Sequence, residues 1–475
     1  MKVFSQRARV LLAIGGVIVI IAATMTGIWL ATQRHTMQST QSTSSSSSIQ
    51  NLSMNTFVTR SSSQLMLNGK PFRFGGANIY WLGLDENVGG VNYPTHFRVD
   101  DALATAEAMG ATVVRAHTLG ISVGCTLCVE PSLGVFNETA LQHIDYAIKE
   151  AHAHNIRLII PLVDNWHYYH GGKHTFTDWR NLPVEDEFYT DPTVINDFEQ
   201  YIQHLLDHVN TYTGIAYKDD PTIMAWETGN EISPPTAWTE KIATFIKSID
   251  SHHLVMDGSQ SLDLNALSLP NVDLYTTHFY PITISLFQEE AQIVARKHKV
   301  YIVGEYDWSG MHGGDALSAF LPAIEHSPAA GDLYWSLLPH NDTYGFVGHN
   351  DGYTLHYPGD TADMRARVQL LIAHAYRMRG IAPLSWPAPI APLITSISGN
   401  RIAWRGATLA VTYSVERSTA GTNGPWTVIC NKCATDNDTP WLDSSMPTTG
   451  SVWYRVRGYN QTGVAGPYSP VYQNQ

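Results

Sequence analysis

Residues 157–166 read RLIIPLVDNW, a run of apolar and β-branched residues that ends in polar and aromatic side chains. A continuous apolar run of this length predicts a strand buried on both faces, as in a parallel sheet. The same pattern occurs eight times between Phe57 and about Pro383, and this repetition decides the fold. The eight runs are FRFGGANIY (72–80), ATVVRAHT (111–118), RLIIPLVDNW (157–166), TIMAWETGNE (222–231), HLVMDG (253–258), VDLYTTHFYP (272–281), KVYIVGEYDW (299–308) and GDLYWSLL (331–338).

Segments with the spacing of amphipathic helices lie between these runs. The clearest are LQHIDYAIKEAHAH (141–154) and NDFEQYIQHLLDHVN (196–210), and others cover 238–251 and 364–379. Eight strands that alternate with helices predict an α/β fold, a (β/α)8 TIM barrel over residues 55–384. A doubly wound open sheet is the alternative, but no G-x-G-x-x-G motif follows the first run.

Six of the eight runs end in side chains that can do chemistry. Active sites of such barrels lie at the carboxyl ends of the strands, so we expect these side chains to face one cleft. In a core they would bury unpaired polar groups at a cost of several kcal/mol. The six endings are Arg115 with His117, Asp164 to Trp166, Asn230 with Glu231, His278 with Tyr280, Glu305, and Trp335.

The segment before the barrel reads as a membrane anchor and a linker. Residues 10–31 carry no charge, and 22 residues in a helix span about 33 Å, enough to cross a bilayer core. Three cationic residues precede this segment and only Arg34 follows it closely, so the positive-inside rule predicts export of everything downstream. We therefore predict a cytoplasmic tip and single-pass anchor over 1–31, a Ser/Thr-rich linker over 32–54, and a catalytic domain outside the cell membrane. A cleaved signal peptide, which would secrete the protein, is the alternative.

The segment after the barrel, 385–475, reads as an all-β sandwich. Short alternating runs such as LAVTYSVERS and SVWYRVRGYN are separated by Gly, Pro, Asn and Thr. The stretch is similar to a fibronectin type III module, although its motifs are only weakly specific. It could be a spacer, a brace for the barrel, or a sugar-binding module that uses its tryptophans.

Composition restricts the partners. The chain has 29 Lys and Arg residues against 42 Asp and Glu, a net charge of −13, which argues against a nucleic-acid binder. Its 13 Trp and 23 Tyr residues suit neutral hydroxylated ligands, although they suit a core equally well. We expect a monomer that binds no nucleic acid.

The four cysteines form two C-x-x-C pairs, Cys125 with Cys128 and Cys430 with Cys433. The pairs are about 300 residues apart, whereas a zinc ribbon needs them roughly 15 to 20 apart. In an exported chain two local disulfides are the preferred interpretation. The many histidines show no metal-ligand spacing, so we predict no metal and no cofactor.

Two of the strand ends carry carboxylates, Glu231 after the fourth run and Glu305 in the seventh. In a closed barrel both face the same mouth. Two carboxylates at one cleft are what glycosidic cleavage needs, because one protonates the leaving oxygen while the other attacks the anomeric carbon or activates water. The pattern therefore predicts a glycosidase.

The motifs W-E-T-G-N-E (226–231) and I-V-G-E-Y (302–306) resemble the catalytic signatures of glycoside hydrolase family 5, a retaining family. The opening FVTR…LNGKPFRFGGANIYWLG and the segment 141–166 are most similar to its endo-β-1,4-mannanases. The resemblance implies a β-linked polysaccharide or oligosaccharide as substrate. It implies these roles: Glu231 as acid/base, Glu305 as nucleophile, Asn230 on the sugar 2-hydroxyl, Arg115 and Tyr280 holding Glu305, His278 lining the cleavage point, and Trp335, with Trp166, as sugar platforms.

Two departures from the mannanase pattern keep other substrates open. Asn-Glu is followed here by Ile232 and Ser233 before proline, and residues 338–360 form a polar, aromatic, His-rich stretch that could be a subsite wall or a lid. A β-glucanase, an exo-β-glycosidase and a transglycosylase are the enzyme alternatives. A surface carbohydrate-binding protein with an inactive barrel is the non-enzyme alternative.

Overall fold

The computed structural model describes residues 53–87, 89–436 and 439–474. A small antiparallel sheet comes first, formed by β1 (Thr59–Ser61), β2 (Gln64–Leu67) and β3 (Lys70–Phe72). The next eight strands close into a parallel barrel, which confirms the barrel prediction. They are β4 (Phe74–Asn78), β5 (Val113–Arg115), β6 (Arg157–Pro161), β7 (Ile223–Glu227), β8 (Leu254–Met256), β9 (Leu274–Phe279), β10 (Val300–Tyr306) and β11 (Gly331–Tyr334).

Helices surround the barrel, and their first turns are fixed by side-chain caps. The second and fourth helices begin three and four residues before the predicted segments 141–154 and 196–210, because Asn137 and Asp191 accept hydrogen bonds from the backbone of the first turn. The helices are α1 (His96–Ala108), α2 (Glu138–Ala153), α3 (Lys173–Trp179), α4 (Pro192–Asp207), α5 (Thr236–Ile249), α6 (Ile284–Arg296), α7 (Leu317–Glu325) and α8 (Ala362–Met378).

The barrel strands are buried along their whole length, so the polar residues among them need partners inside the protein. All seven residues of β10 are buried, Glu305 among them. Beside it, a Cβ at Gly304 would lie 2.3 Å from Thr276 Oγ1 and 2.8 Å from His278 Nε2. Only glycine therefore lets β10 approach β9 closely enough to bring His278 beside Glu305.

The C-terminal part is all β, as predicted, and has its own hydrophobic core. One sheet contains β12 (Leu393–Ser398), β13 (Arg401–Arg405) and β16 (Trp441–Leu442). The other contains β14 (Thr412–Ser418), β15 (Thr427–Ala434), β17 (Val452–Tyr459) and β18 (Tyr472–Asn474). The fibronectin type III resemblance and the boundary between 384 and 385 stay predictions.

Both cysteine pairs are disulfides. Cys125 is joined to Cys128 in the loop after β5, and Cys430 is joined to Cys433 within β15. Among the described residues no helix is both long and apolar enough to cross a membrane. The predicted anchor over 1–31 and most of the linker over 32–54 lie outside the described residues.

Candidate active site

A cavity of about 520 Å³ opens at the carboxyl end of the barrel strands. Six of the predicted site residues line it: Trp166, Asn230, Glu231, Tyr280, Glu305 and Trp335. The other two, Arg115 and His278, are buried behind this lining and contact the carboxylates directly. The barrel therefore brings together side chains from six separate strand ends.

Arg115, the last residue of β5, connects several of these strand ends. Its Nη1 donates to Glu305 Oε1 at 2.7 Å, and its Nη2 donates to Asn230 Oδ1 at 2.8 Å. Its Nε and Nη2 also donate to the two carboxylate oxygens of Glu227, at 2.6 and 3.0 Å. A planar guanidinium is suited to such paired bonds, so it fixes both the position and the orientation of Glu305.

The surroundings of Glu305 favour its ionised form. Tyr280 donates its hydroxyl proton to Oε2 at 3.0 Å, and Arg115 donates to Oε1. Burial alone would raise the pKa of Glu305, but the positive charges of His278 and Arg115 outweigh it and lower this pKa to about 2. The side chain therefore presents a carboxylate to the cavity at neutral pH.

Glu231 stands on a strained backbone and has a different environment. Its φ of 53° lies in the left-handed region, which a residue other than glycine adopts at a cost of about 1–3 kcal/mol. Its neighbours hold it there, since Asn230 N donates to Val163 O at 2.7 Å and Ile232 N donates to Gly258 O at 3.1 Å. The strain aims the Glu231 side chain into the cavity.

The Glu231 carboxylate has two partners. Trp166 Nε1 donates to Oε2 at 2.6 Å, and His278 Nδ1 lies 2.8 Å from Oε1. Burial would lower the pKa of His278, but the charges of Glu305 and Glu231 outweigh burial and raise this pKa. Carboxylate oxygens of Glu231 and Glu305 lie within 4.8 Å of one another.

Trp335 forms the wall of the cavity near Tyr80. The two rings are stacked with centroids 5.2 Å apart, and Trp335 Nε1 donates to Asp351 Oδ2 at 2.7 Å. His349, Asp351 and Tyr353 line the cavity, so part of the stretch 338–360 forms a wall beside Trp335.

Sequence reasoning missed two buried residues of the site. Glu227, the last residue of β7, pairs with Arg115 through both oxygens, and Asn78, the last residue of β4, accepts from Arg115 Nη1 at 3.2 Å. The sequence carried a partial signal, because a carboxylate within an apolar run needs a buried cation, but it did not show which cation pairs with Glu227.

Two clusters of described residues lie close enough to hold a metal ion, His117 with Asp164 and His170, and Glu231 with His278 and Glu305. In the first cluster Arg115 Nη1 donates to His117 Nε2 at 2.8 Å and occupies that lone pair. In the second, His278 Nδ1 lies 2.8 Å from Glu231 Oε1 and 3.6 Å from Glu305 Oε2. Each cluster therefore has at least one donor already engaged within the protein. The absence of a cofactor stays a prediction.

A family profile and several known proteins are similar to this chain. Residues 55–309 match the profile of GH family 5 beta-mannosidase-like proteins. Mannan endo-1,4-beta-mannosidase 3 of Arabidopsis thaliana is 35% identical over 228 residues, which cover 45% of this chain and 53% of that protein. Mannan endo-1,4-beta-mannosidase 7 of the same plant is 33% identical over 359 residues, which cover 62% of this chain and 80% of that protein.

A solved structure is also similar. The endo-1,4-beta-mannanase of Rhizomucor miehei superposes with a TM-score of 0.59 and 27% identity, over 68% of this chain and 100% of that one. The chain spans about half the length of several of the curated relatives that it matches.

Proposed function

The chain belongs to glycoside hydrolase family 5, and from this membership and the geometry of the site we propose that it is a retaining endo-β-1,4-mannanase. The observation that carries the mechanism is the pair Glu231 and Glu305, with carboxylate oxygens within 4.8 Å. Retaining glycosidases hold their carboxyl groups about 5–5.5 Å apart, whereas inverting enzymes need about 6.5–9.5 Å to admit a water. The nearest oxygens of the pair are compatible with the shorter separation, and the resemblance to a retaining family favours double displacement.

The two steps follow from the contacts of each carboxylate. In the first, an oxygen of Glu305 attacks the anomeric carbon while Glu231 gives its proton to the glycosidic oxygen, which leaves with the bonding electrons. In the second, Glu231 takes a proton from water, whose oxygen attacks the same carbon and releases Glu305. Arg115 and Tyr280 hold Glu305 throughout. Asn230 lines the cavity, and we propose that it binds the 2-hydroxyl.

The lining of the cavity favours a neutral glycan. Glu86, Glu231, Glu305 and Asp351 line it, and none of its described lining residues is Lys or Arg. A uronate would therefore meet repulsion without a cation at the surface to offset it. Trp166, which is 42% exposed, and Trp335 offer aromatic faces to sugar rings. The names of the plant relatives favour mannan among neutral glycans.

The test is cleavage of manno- and cello-oligosaccharides of matched length by the full-length chain in detergent, with products separated by chromatography. Internal cleavage of the manno-series, with the β-anomer formed first by NMR and with loss of turnover in Glu305→Gln, would support the proposal. Cleavage of the cello-series, release of single sugars only, or transfer to sugar acceptors would refute the mannanase assignment within the family. Saturable binding without turnover would favour the carbohydrate-binding alternative.

We propose that the chain is anchored in the cell membrane by residues 10–31, with the barrel outside. The charge pattern around this segment supports export, and so do the two disulfides, which persist in oxidising compartments. Protease added to intact cells should degrade the barrel, whereas detection of the barrel in the medium would favour a cleaved signal peptide.

We also propose that the C-terminal segment is a fibronectin type III-like brace for the barrel. His340, in the loop after β11, lies 3.0 Å from Asp101 of α1 and 3.2 Å from Asp436 of the C-terminal part. Burial would lower the pKa of His340, but the two carboxylates raise it to about 10, so a buried cation joins them. Arg405 also lies over the ring of Phe97, 4.0 Å from its centroid.

A further inference from the structure

Asp164, in the loop after β6, contacts two of the cavity residues without lining the cavity itself. Its Oδ1 accepts from the backbone N–H of Trp166 at 3.0 Å and from Asn230 Nδ2 at 3.2 Å. Asn230 is held on its other side by Arg115, so the Asn230 amide is fixed by these two contacts. Asp164 is fully buried, and its Oδ2 has no hydrogen-bond partner among the described residues.

The orphaned oxygen faces the imidazole of His170. Its Nδ1 lies 3.1 Å from the carbonyl oxygen of Gly171, and because a carbonyl only accepts, Nδ1 carries a proton. In a neutral imidazole Nε2 then carries a lone pair, and this Nε2 lies 3.7 Å from Asp164 Oδ2. Two buried acceptors facing each other would leave both unsatisfied, so the geometry calls for one proton on this pair.

The charged groups around Asp164 disfavour a further negative charge there or are already engaged. Tyr168 and Tyr169, which also lie near Asp164, are kept neutral because burial raises the pKa of both hydroxyls. Glu231, beyond β7, and Glu305, on β10, repel it. His117, beyond β5, accepts at Nε2 from Arg115 Nη1 and is neutral, while Arg115 itself faces Glu227 and Glu305. Burial, with these carboxylates, raises the pKa of Asp164 to about 7, and burial lowers the pKa of His170 to about 3.

We propose that Asp164 and His170 hold one proton between them as a neutral pair, and that this pair positions Asn230 and Trp166 for catalysis. As the pH rises the proton leaves to solvent, and the Asp164 carboxylate then faces a lone pair. Repulsion turns it away from His170 and loosens its hold on the Asn230 amide. Asp164 is a positioning residue, because it acts through Asn230 and Trp166. The catalytic consequence rests on the proposed glycosidase function, whereas the shared proton does not.

The substitution Asp164→Asn tests the proton. The amide oxygen retains the bonds from Trp166 and Asn230, and the amide nitrogen donates to His170 Nε2, so the variant copies the protonated acid without titrating. The pKa of Asp164 in the folded chain, about 7, lies above its ordinary value of 3.8, so the wild type loses stability as the pH rises from about 4 through 7.

The first measurement is thermal unfolding of both proteins between about pH 5 and pH 8. We expect the Tm of Asp164→Asn minus that of the wild type to increase by about 3 °C or more over this range. A difference that is constant with pH, or that decreases, would overturn the shared proton. This series needs no substrate, so it stays informative even if no glycan is cleaved.

The second measurement is kcat/KM against pH with a manno-oligosaccharide. We expect the kcat/KM of Asp164→Asn at acid pH to lie within about threefold of the wild-type value. Near pH 8.5 the variant should retain a fraction of its maximal kcat/KM that is at least about threefold larger than the fraction the wild type retains. The matched control is Asp257→Asn, because Asp257 is also buried, its pKa is raised by burial to about 6, and it does not line the cavity.

Asp257→Asn should therefore change the pH dependence of Tm but not the pH profile of kcat/KM. Superimposable profiles for the wild type and Asp164→Asn, or the same shift in both variants, would overturn the positioning role.

Discussion

Substitution of Arg115 by Lys tests whether one guanidinium organises the whole site. Its three nitrogens make six contacts of 3.2 Å or less, two with Glu227, one with Glu305 and three with neutral side chains. A lysine ammonium has three donors, so it can keep at most half of them. Bonds to charged groups contribute about 1.5–3 kcal/mol each. A loss of about 3 kcal/mol from the transition state would lower kcat/KM roughly 100-fold.

The assay is kcat/KM on the oligosaccharide that the wild type cleaves best, together with thermal unfolding. The matched control is Arg157→Lys, because Arg157 is equally buried but begins β6 at the opposite end of the barrel, where it donates to the carbonyl of Ser53 at 2.6 Å. We expect both variants to lose Tm and only Arg115→Lys to lose turnover. If Arg115→Lys stays within about fivefold of the wild type, or if both variants lose turnover equally, the organising role is refuted.

Three further predictions test single contacts. The pKa of Glu305 is lowered from 4.5 to about 2, so its carboxylate contributes stability that is lost as the pH falls through this range. The Tm difference between the wild type and Glu305→Gln should therefore shrink below about pH 4. Trp166→Phe retains a ring but loses the donor to Glu231, and kcat/KM should fall about 10-fold, whereas an unchanged value would show that this bond is unimportant. His340→Gln removes a buried cation between two carboxylates, so the Tm should fall by several degrees, and an unchanged Tm would contradict the brace.

The sequence predicts the number and place of the barrel strands because each is a continuous apolar run, and burial on both faces leaves little choice of residue. It also predicts which strand ends carry chemistry, since every run that ends in Arg, Asn or Glu must bring that group to the same rim. Helix starts were less well predicted, because the caps Asn137 and Asp191 precede the apolar pattern.

The sequence does not show which buried polar groups pair with one another. Glu227 lies within the quoted motif W-E-T-G-N-E, yet nothing in its spacing tells whether it faces the cavity or a cation. That depends on the closure of the barrel, which places β7 two strands from β5 and lets Arg115 reach across. The tautomer of His170 is likewise set by a single backbone carbonyl, that of Gly171.

The charges of the cleft balance in one protonation state. In that state His278 is protonated, which its raised pKa favours, and it supplies one positive charge while Arg115 supplies another. Glu227 and Glu305 supply two negative charges. With Glu231 carrying the proton that it must donate, the sum is zero. The nucleophile is then charged in a buried site without any excess charge that would have to be desolvated.

A charged Asp164 would upset this balance. With its proton lost, the cleft would hold a third carboxylate besides Glu227 and Glu305, without a third cation. This third carboxylate would compete with Glu305 for the positive charge that holds the nucleophile ionised. A neutral Asp164–His170 pair avoids this competition while it still fixes Asn230. The same site thus needs one carboxyl group ionised, one ready to give its proton, and one kept neutral.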